Sequence, residues 1–162
     1  MFKLLFKTFL LILFTQTLLF SREINIDNII KKAASSNKHL LVWLHKTDCP
    51  YCGRMQKLTL NTDLVKSLIE KKFIFIHIDI YDKDEVTYKD FKGNGRSFAK
   101  FMGYDFYPTS LFYDNNKELI YAVPGYQNKK IYSEILEYID SKSYHTMEFE
   151  EFKNELDFKE EL

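Results

Sequence analysis

Residues 39–52 read HLLVWLHKTDCPYC and join an apolar run to a pair of cysteines. The run from His39 to His45 has the length and composition of a central sheet strand that is covered on both faces. Cys49 and Cys52 follow it and are separated by two residues. A bridge between them closes a ring too small to stabilise the fold much, because that stabilisation grows with the logarithm of loop length. The pair is therefore predicted to serve chemistry rather than structure.

The segment that begins at Cys49 is predicted to start a helix. Pro50 fits the first helical position, where no backbone N–H bond is lost, and Cys49 then occupies the cap. The unpaired N–H groups and the positive end of the helix dipole favour an anion there, so the Cys49 thiol should lose its proton more readily than a free cysteine. A thiolate attacks disulfides, and Cys52, one turn further on, is placed to resolve the mixed disulfide that results.

Outward from this motif, the sequence predicts alternating strands and helices. The apolar runs 39–45 and 73–80 are separated by a helical pattern with a break near residues 59–62, which predicts a βαβ unit with parallel strands. Residues 81–95 are charged and lack an apolar period, so they are predicted to be a loop that turns at Gly93-Asn94-Gly95. The other predicted elements are a helix capped by Asp27 through about Ser36, a helix at 97–102, an antiparallel hairpin of strands at 109–113 and 118–123, and a helix from the Asn128 cap to near Ser141. This order predicts an α/β fold with a central mixed sheet of about four strands flanked by helices.

Composition narrows the class of protein. The 162 residues are 46% hydrophobic and include only five Gly and three Pro, which excludes a disordered or collagen-like chain and predicts one compact domain. Basic and acidic residues both number 23, so no basic excess points to nucleic acid as a partner. Two cysteines are too few for a small disulfide scaffold.

The N-terminus predicts export. Lys3 and Lys7 precede an apolar stretch that is interrupted by three polar residues at 15–17, so residues 1–21 are predicted to be a secretory signal peptide. An uncleaved membrane anchor is the alternative. Export would place the protein in the periplasm or another extracytoplasmic compartment, where disulfides form and persist. The predicted domain then spans residues 22–142.

The C-terminal residues 143–162 form an acidic tail, with seven acidic residues against two lysines. Phe149, Phe152 and Leu156 have the spacing of an amphipathic helix that could pack back on the domain. The charge run favours a solvated helical extension, and a partner-binding helix is the alternative.

One more motif completes the pattern. Tyr107-Pro108 stands directly before a predicted strand, where proline marks an opening at which an incoming chain could pair with backbone. The order strand, CxxC, helix, strand, helix, X-Pro-Thr, hairpin, helix resembles the thioredoxin superfamily. Within it, the text at residues 40–55, 73–80 and 101–126 is similar to exported thioredoxin-related proteins of the SoxW type.

That resemblance implies a thioredoxin-like fold and dithiol–disulfide exchange with exported protein disulfides or dithiols. It implies that Cys49 is the nucleophile, that Cys52 is the resolving thiol and that the bond before Pro108 is cis. The residues expected at the substrate-binding surface are Tyr107, Pro108, Pro50 and Tyr51. A membrane electron donor would resupply a reductase, and no cofactor or metal is expected.

Three features depart from the family pattern. Many thioredoxins place a buried acid six residues before the first cysteine, but Trp43 stands there, which leaves the proton acceptor unassigned. Pro50-Tyr51 is the dipeptide typical of glutaredoxins, whose Gly-Gly is absent. Tyr107 is bulkier than the residue commonly found before the cis-proline, which would narrow access for the substrate.

Other functions remain open. CxxC is half of a zinc site or a Cu(I) site, which His45 and His77 could complete only if they converge. Both lie in apolar strands, where a core histidine is the commoner interpretation. His77 also shares a strand face with Asp79, and the two could hydrogen-bond.

The remaining alternatives are an interaction module that binds through the acidic tail and a disulfide isomerase of the DsbC type. Such isomerases carry an N-terminal dimerisation domain, for which residues 22–38 are too short. A monomer that acts mainly as a reductase is therefore favoured, although the motif itself fixes no direction of electron flow.

Overall fold

The computed structural model describes residues 22–160, so the predicted signal peptide at 1–21 lies outside the described residues. The strands are β1 (Glu23–Asn25), β2 (His39–His45), β3 (Phe73–Asp79), β4 (Glu85–Tyr88), β5 (Phe91–Asn94), β6 (Thr109–Tyr113) and β7 (Leu119–Pro124). The α-helices are α1 (Ile26–Ser35), α2 (Pro50–Met55), α3 (Asp63–Lys72), α4 (Gly95–Phe101), α5 (Lys129–Asp140) and α6 (Phe149–Glu160). A π-helical segment, Gln56–Leu60, continues α2, and a 3-10 turn, Ser143–His145, follows α5.

The central sheet has the order β3-β2-β6-β7. Strand β2 pairs in parallel with β3 and antiparallel with β6, and β6 and β7 form an antiparallel hairpin. The predicted thioredoxin-like α/β fold with a mixed sheet of four strands is thus confirmed. Its central strand β2 is buried along nearly its whole length, as its unbroken apolar run predicts.

Alternate residues of β2 feed two cores on opposite faces of the sheet. Leu41 and Trp43 face the core that is covered by α2, α3, α5 and α6, whereas Leu40, Val42 and Leu44 face the core that is covered by α1 and α4. A strand whose side chains alternate between two covered faces has no solvated side, which explains why only apolar residues stand between its two terminal histidines.

The prediction of a loop at residues 81–95 is wrong. Strands β4 and β5 form a hairpin there, and β4 also pairs in parallel with β1 to make a second, three-stranded sheet. Val86 and Tyr88 are buried and alternate with half-exposed residues, which is a strand pattern too short to stand out among the charges. The predicted turn is also displaced, because Asn94 caps α4 by accepting a hydrogen bond from the Ser97 N–H at 2.9 Å.

Gly95 begins α4 because only a glycine fits there. A Cβ atom at this position would lie 2.8 Å from Cγ2 of Ile78 and 3.0 Å from the carbonyl oxygen of Asp79. The start of α4 is therefore packed directly on the backbone at the end of β3.

Helix boundaries follow the predicted caps with one correction. Asn128 caps α5 as predicted, with its side chain accepting from the Ile131 N–H at 3.1 Å. Asn25, rather than the predicted Asp27, caps α1. The carboxylate of Asp27 instead accepts the Lys89 backbone N–H at 2.8 Å. The predicted helix break near 59–62 is confirmed at the junction of the π-helical segment with α3.

The acidic tail packs on the domain, contrary to the expected solvated extension. Phe152 is buried, and Phe149 and Leu156 pack against the same core. The Tyr138 hydroxyl in α5 donates to the carbonyl oxygen of Met147 at 2.7 Å, which holds the segment just before α6 against α5. Across residues 22–160, none of the helices has the length and apolar character needed to cross a membrane.

Candidate active site

The two cysteines lie where β2 gives way to α2. Cys49 has extended backbone and stands at the helix cap, and Pro50 is the first helical residue. Cys49 and Cys52 are joined in a disulfide, and the Cys52 N–H donates to Cys49 Sγ at 3.1 Å. The Gly53 N–H donates to the Cys49 carbonyl oxygen at 3.0 Å, so the first turn holds both cysteine backbones in place.

Tyr107 and Pro108 lie against this pair. The peptide bond between them is cis, and the Tyr107 carbonyl oxygen is 3.6 Å from Cys49 Sγ. The Pro108 carbonyl oxygen accepts the Gly125 N–H at 2.7 Å, and the Thr109 hydroxyl donates to the Phe106 carbonyl oxygen at 2.6 Å, so both sides of the cis bond are anchored. The structure therefore brings Cys49, Cys52, Tyr107 and Pro108 together, although they are about 55 residues apart in sequence.

The surface around the disulfide is aromatic. Tyr51, which stands between the two cysteines in the chain, is 60% exposed, and Phe106, which precedes Tyr107, is 72% exposed. Burial, followed by the nearby Asp105 carboxylate, raises the pKa of Tyr107, so its hydroxyl stays neutral. Exposed aromatic side chains of this kind supply large contact area for a protein partner.

A cavity of about 340 Å³ opens beside Tyr107. It is lined by Lys46, Arg96 and Lys100 against one carboxylate, Asp105, so its formal charge is positive. The Arg96 guanidinium lies over the Tyr81 ring, 5.0 Å from its centroid. This side of the site is suited to a partner segment that carries negative charge.

A second cavity, of about 580 Å³, borders the disulfide itself. Cys49 and Cys52 line it together with Trp43, His45 and Asp79. Sequence reasoning assigned His45 to the core and missed its place in this cavity. The signal was available in part, because His45 lies only four residues before Cys49.

The expected hydrogen bond between His77 and Asp79 is not the one formed. His77 Nδ1 lies 3.2 Å from His45 Nε2, whereas His45 Nδ1 lies 3.7 Å from Asp79 Oδ2. The register of the parallel pair explains the change, because His45 is the partner of Asp79, and Trp43 is the partner of His77. Asp79 Oδ2 also accepts the Thr47 hydroxyl at 2.6 Å.

The surroundings of the His45–Asp79 pair set its charge state. Burial lowers the pKa of His45, and the Asp79 carboxylate opposes that effect only in part. Burial acts to raise the pKa of Asp79, but hydrogen bonds from the Thr47 hydroxyl and the Tyr81 N–H outweigh it and hold that pKa below its usual value. At neutral pH the pair is therefore a neutral imidazole beside a carboxylate.

Trp43 occupies the position at which many thioredoxins have an acid. Its ring stacks on the His45 ring with 4.5 Å between centroids, and among residues 22–160 its buried Nε1 has no hydrogen-bond partner. The indole N–H can only donate, so Trp43 cannot take a proton from a cysteine. Within the described part of the chain, no three His, Cys, Asp or Glu side chains are arranged to hold a metal ion.

A cysteine pair at a helix start, set against a cis-proline at the edge of a four-stranded mixed sheet, defines the class of thioredoxin-like proteins. Comparison with known families agrees, because residues 26–140 match the thioredoxin-like domain family. The chain belongs to the thioredoxin-like domain family. No curated relative matches the sequence.

Solved structures share the fold at low sequence identity. A thioredoxin-fold protein from Helicobacter pylori is 22% identical with a TM-score of 0.64, covering 75% of this chain and 81% of its own. A thioredoxin from Thermus thermophilus is 18% identical with a TM-score of 0.58, covering 74% of this chain and 86% of its own. The reduced C-terminal domain of DsbD from Neisseria meningitidis is 15% identical with a TM-score of 0.51, covering 69% and 91%.

Proposed function

We propose that this protein is an exported thiol–disulfide oxidoreductase that acts mainly as a reductase of other exported proteins, as the resemblance to SoxW-type proteins implies. In the reaction, the Cys49 thiolate attacks one sulfur of a partner disulfide and releases the other sulfur as a thiolate. Cys52 then attacks Cys49, so the partner gains two electrons and the cysteine pair becomes the disulfide. A membrane electron donor would reduce the pair again.

One observation carries this proposal: the Cys49–Cys52 pair lies against the cis Tyr107–Pro108 bond, with the Tyr107 carbonyl oxygen 3.6 Å from Cys49 Sγ. A disulfide that closes so short a ring adds little to stability, so its position beside the Tyr107 backbone needs another reason. An extended partner segment that pairs with backbone at Tyr107 would bring its own sulfur to Cys49.

The surrounding side chains fit a protein as the partner. Tyr51, between the two cysteines, and Phe106, next to Tyr107, offer exposed aromatic area. We assign Pro50, Tyr51, Tyr107 and Pro108 to substrate binding. We further propose that the protein is a monomer, that residues 1–21 are its secretory signal and that it acts in an extracytoplasmic compartment.

A trapping experiment tests the proposal. In Cys52→Ser the Cys49 thiolate still attacks, but nothing releases the partner, so we expect mixed disulfides with exported proteins that reducing agent removes. The matched control is Cys49→Ser, which retains a thiol in the same turn and should trap little. A folded Cys52→Ser protein that traps no more than Cys49→Ser would overturn the assignment.

A further inference from the structure

The resolving step requires a proton acceptor, and the cavity behind the disulfide contains one. Cys52 must lose its thiol proton before it can attack, and its side chain is buried. Trp43, at the place of the usual acid, can only donate a hydrogen bond. The same cavity of about 580 Å³ is lined by His45 and Asp79, which the reaction described above does not use.

We propose that His45 accepts the proton of the Cys52 thiol during the resolving step and that Asp79 acts as a positioning residue for its imidazole. This inference rests on the proposed function, because it concerns one step of that exchange. It assigns a role to a histidine that stands on the strand leading into the cysteine motif.

In one of its two neutral tautomers, the His45 imidazole keeps one nitrogen able to take a proton. If the Nε2–H of His45 donates to His77 Nδ1, which is 3.2 Å away, the lone pair of His45 Nδ1 remains available. That nitrogen is 3.7 Å from Asp79 Oδ2, so the imidazolium formed on protonation lies beside a carboxylate. Thr47 holds the carboxylate in place by donating to the same oxygen at 2.6 Å.

The charge states fit the role. His45 is neutral at pH 7 because burial lowers its pKa, and it can therefore accept a proton. Asp79 stays ionised because the hydrogen bonds it accepts lower its pKa against the effect of burial. The other titratable or charged groups that face this imidazole are His77 on β3, Asp82 in the turn after β3, Lys46, Asp48 and Cys49 on the segment that leads into α2, and Cys52 in the first turn of α2.

The step balances as follows for the mixed disulfide between Cys49 and a partner. The Cys52 proton passes to His45 Nδ1 through water, for which the cavity has ample room. The Cys52 thiolate attacks Cys49 Sγ, the Cys49–Cys52 bond forms, and the bond from Cys49 to the partner sulfur breaks. Its electron pair leaves with the partner sulfur, which becomes a thiolate and takes up a proton as His45 loses one.

For protein whose Cys49–Cys52 disulfide has first been reduced and the reductant removed, an aromatic disulfide, dithiobis(nitrobenzoate), separates the two chemical steps in one trace. Attack by Cys49 releases the first coloured thiolate, and resolution by Cys52 releases the second. In His45→Gln we expect the second release to slow about a hundredfold at pH 7, as for loss of a general base, while the first release keeps its rate. The deficit should shrink as pH rises, because hydroxide then takes the Cys52 proton.

His39→Gln is the matched control. His39 is a buried histidine at the other end of β2, and burial lowers its pKa too. We expect both releases to keep the wild-type rates in this variant. Should His45→Gln fail to fold, Asp79→Asn retains the imidazole and removes the charge that raises its pKa. The acid limb of the second release should then move to lower pH.

Three results would overturn the inference. The first is a second release in His45→Gln with the wild-type rate and pH profile. The second is equal slowing of both releases, which indicates a structural defect. The third is an unchanged pH profile in Asp79→Asn. Wild-type protein that releases neither thiolate would instead overturn the proposed function, and this inference with it.

Discussion

Reduction of the Cys49–Cys52 disulfide should lower the free energy of unfolding only slightly. The two cysteines are three positions apart, so the closed loop has four residues. In the chain-entropy model, a loop of this length stabilises the folded state by about 2 kcal/mol. With an unfolding entropy of about 2.1 cal/mol/K per residue over roughly 140 residues, this corresponds to a fall in melting temperature of about 7 °C.

Circular dichroism of the oxidised and the dithiothreitol-reduced protein measures this difference. We expect the reduced protein to remain folded and to melt a few degrees lower than the oxidised protein. A fold that is more stable with the disulfide makes the dithiol a better electron donor, so this order of melting temperatures is the one that a reductase requires. The double variant Cys49→Ser, Cys52→Ser should melt at the same temperature with and without reductant. A reduced protein that is unfolded at room temperature would show that the bridge is a structural staple. A reduced form that melts higher than the oxidised form would contradict the reductase direction.

Three other predictions test separate parts of the molecule. Pro108→Thr should slow the release of trapped partners and leave the circular dichroism spectrum unchanged, and wild-type release rates would remove Pro108 from the site. Phe152→Ala should lower the free energy of unfolding in urea by about 2–3 kcal/mol, because Phe152 is only 9% exposed and packs against the core. Phe158 in the same helix is 65% exposed, so Phe158→Ala should lower it by less than about 0.5 kcal/mol. Equal losses in the two variants would contradict the packing of α6. Burial raises the pKa of Tyr132 above its unfolded value, so the stability it contributes is fully present below about pH 10 and is lost as pH rises further. Tyr132→Phe should therefore flatten the alkaline fall in unfolding free energy, and an unchanged slope would refute that assignment.

Strong local signals made most of the fold predictable. The unbroken apolar run of β2 and the side chain of Asn128 at the start of α5 act within a few residues of chain, and both features appear as predicted. The hairpin at 85–94 was missed because its two buried residues in β4, Val86 and Tyr88, are separated by charged or polar neighbours. Its stability also depends on β1, more than 50 residues earlier, which no local pattern reports.

The candidate site was likewise predictable where its signals are local and unpredictable where they depend on distant parts of the chain. Cys49 and Cys52 form a local motif, so sequence reasoning found them directly. The pairing of His45 with Asp79 depends on the register between β2 and β3, which are joined only through a helical crossover. Face parity correctly placed His77 and Asp79 on one side of the sheet, but it could not show that His45 on the neighbouring strand contacts both of them. The packing of the acidic tail likewise depends on contacts with α5 that its own charge pattern conceals.

The most direct test of the central claim is a count of electrons transferred to a protein disulfide. Fully reduced protein is mixed with an oxidised exported protein that has one disulfide, and mass spectrometry follows the thiols of both. The account predicts that one partner disulfide is reduced for each Cys49–Cys52 bond formed, and that the Cys49→Ser variant transfers none. A folded wild-type protein whose cysteines stay reduced while the partner stays oxidised would contradict it.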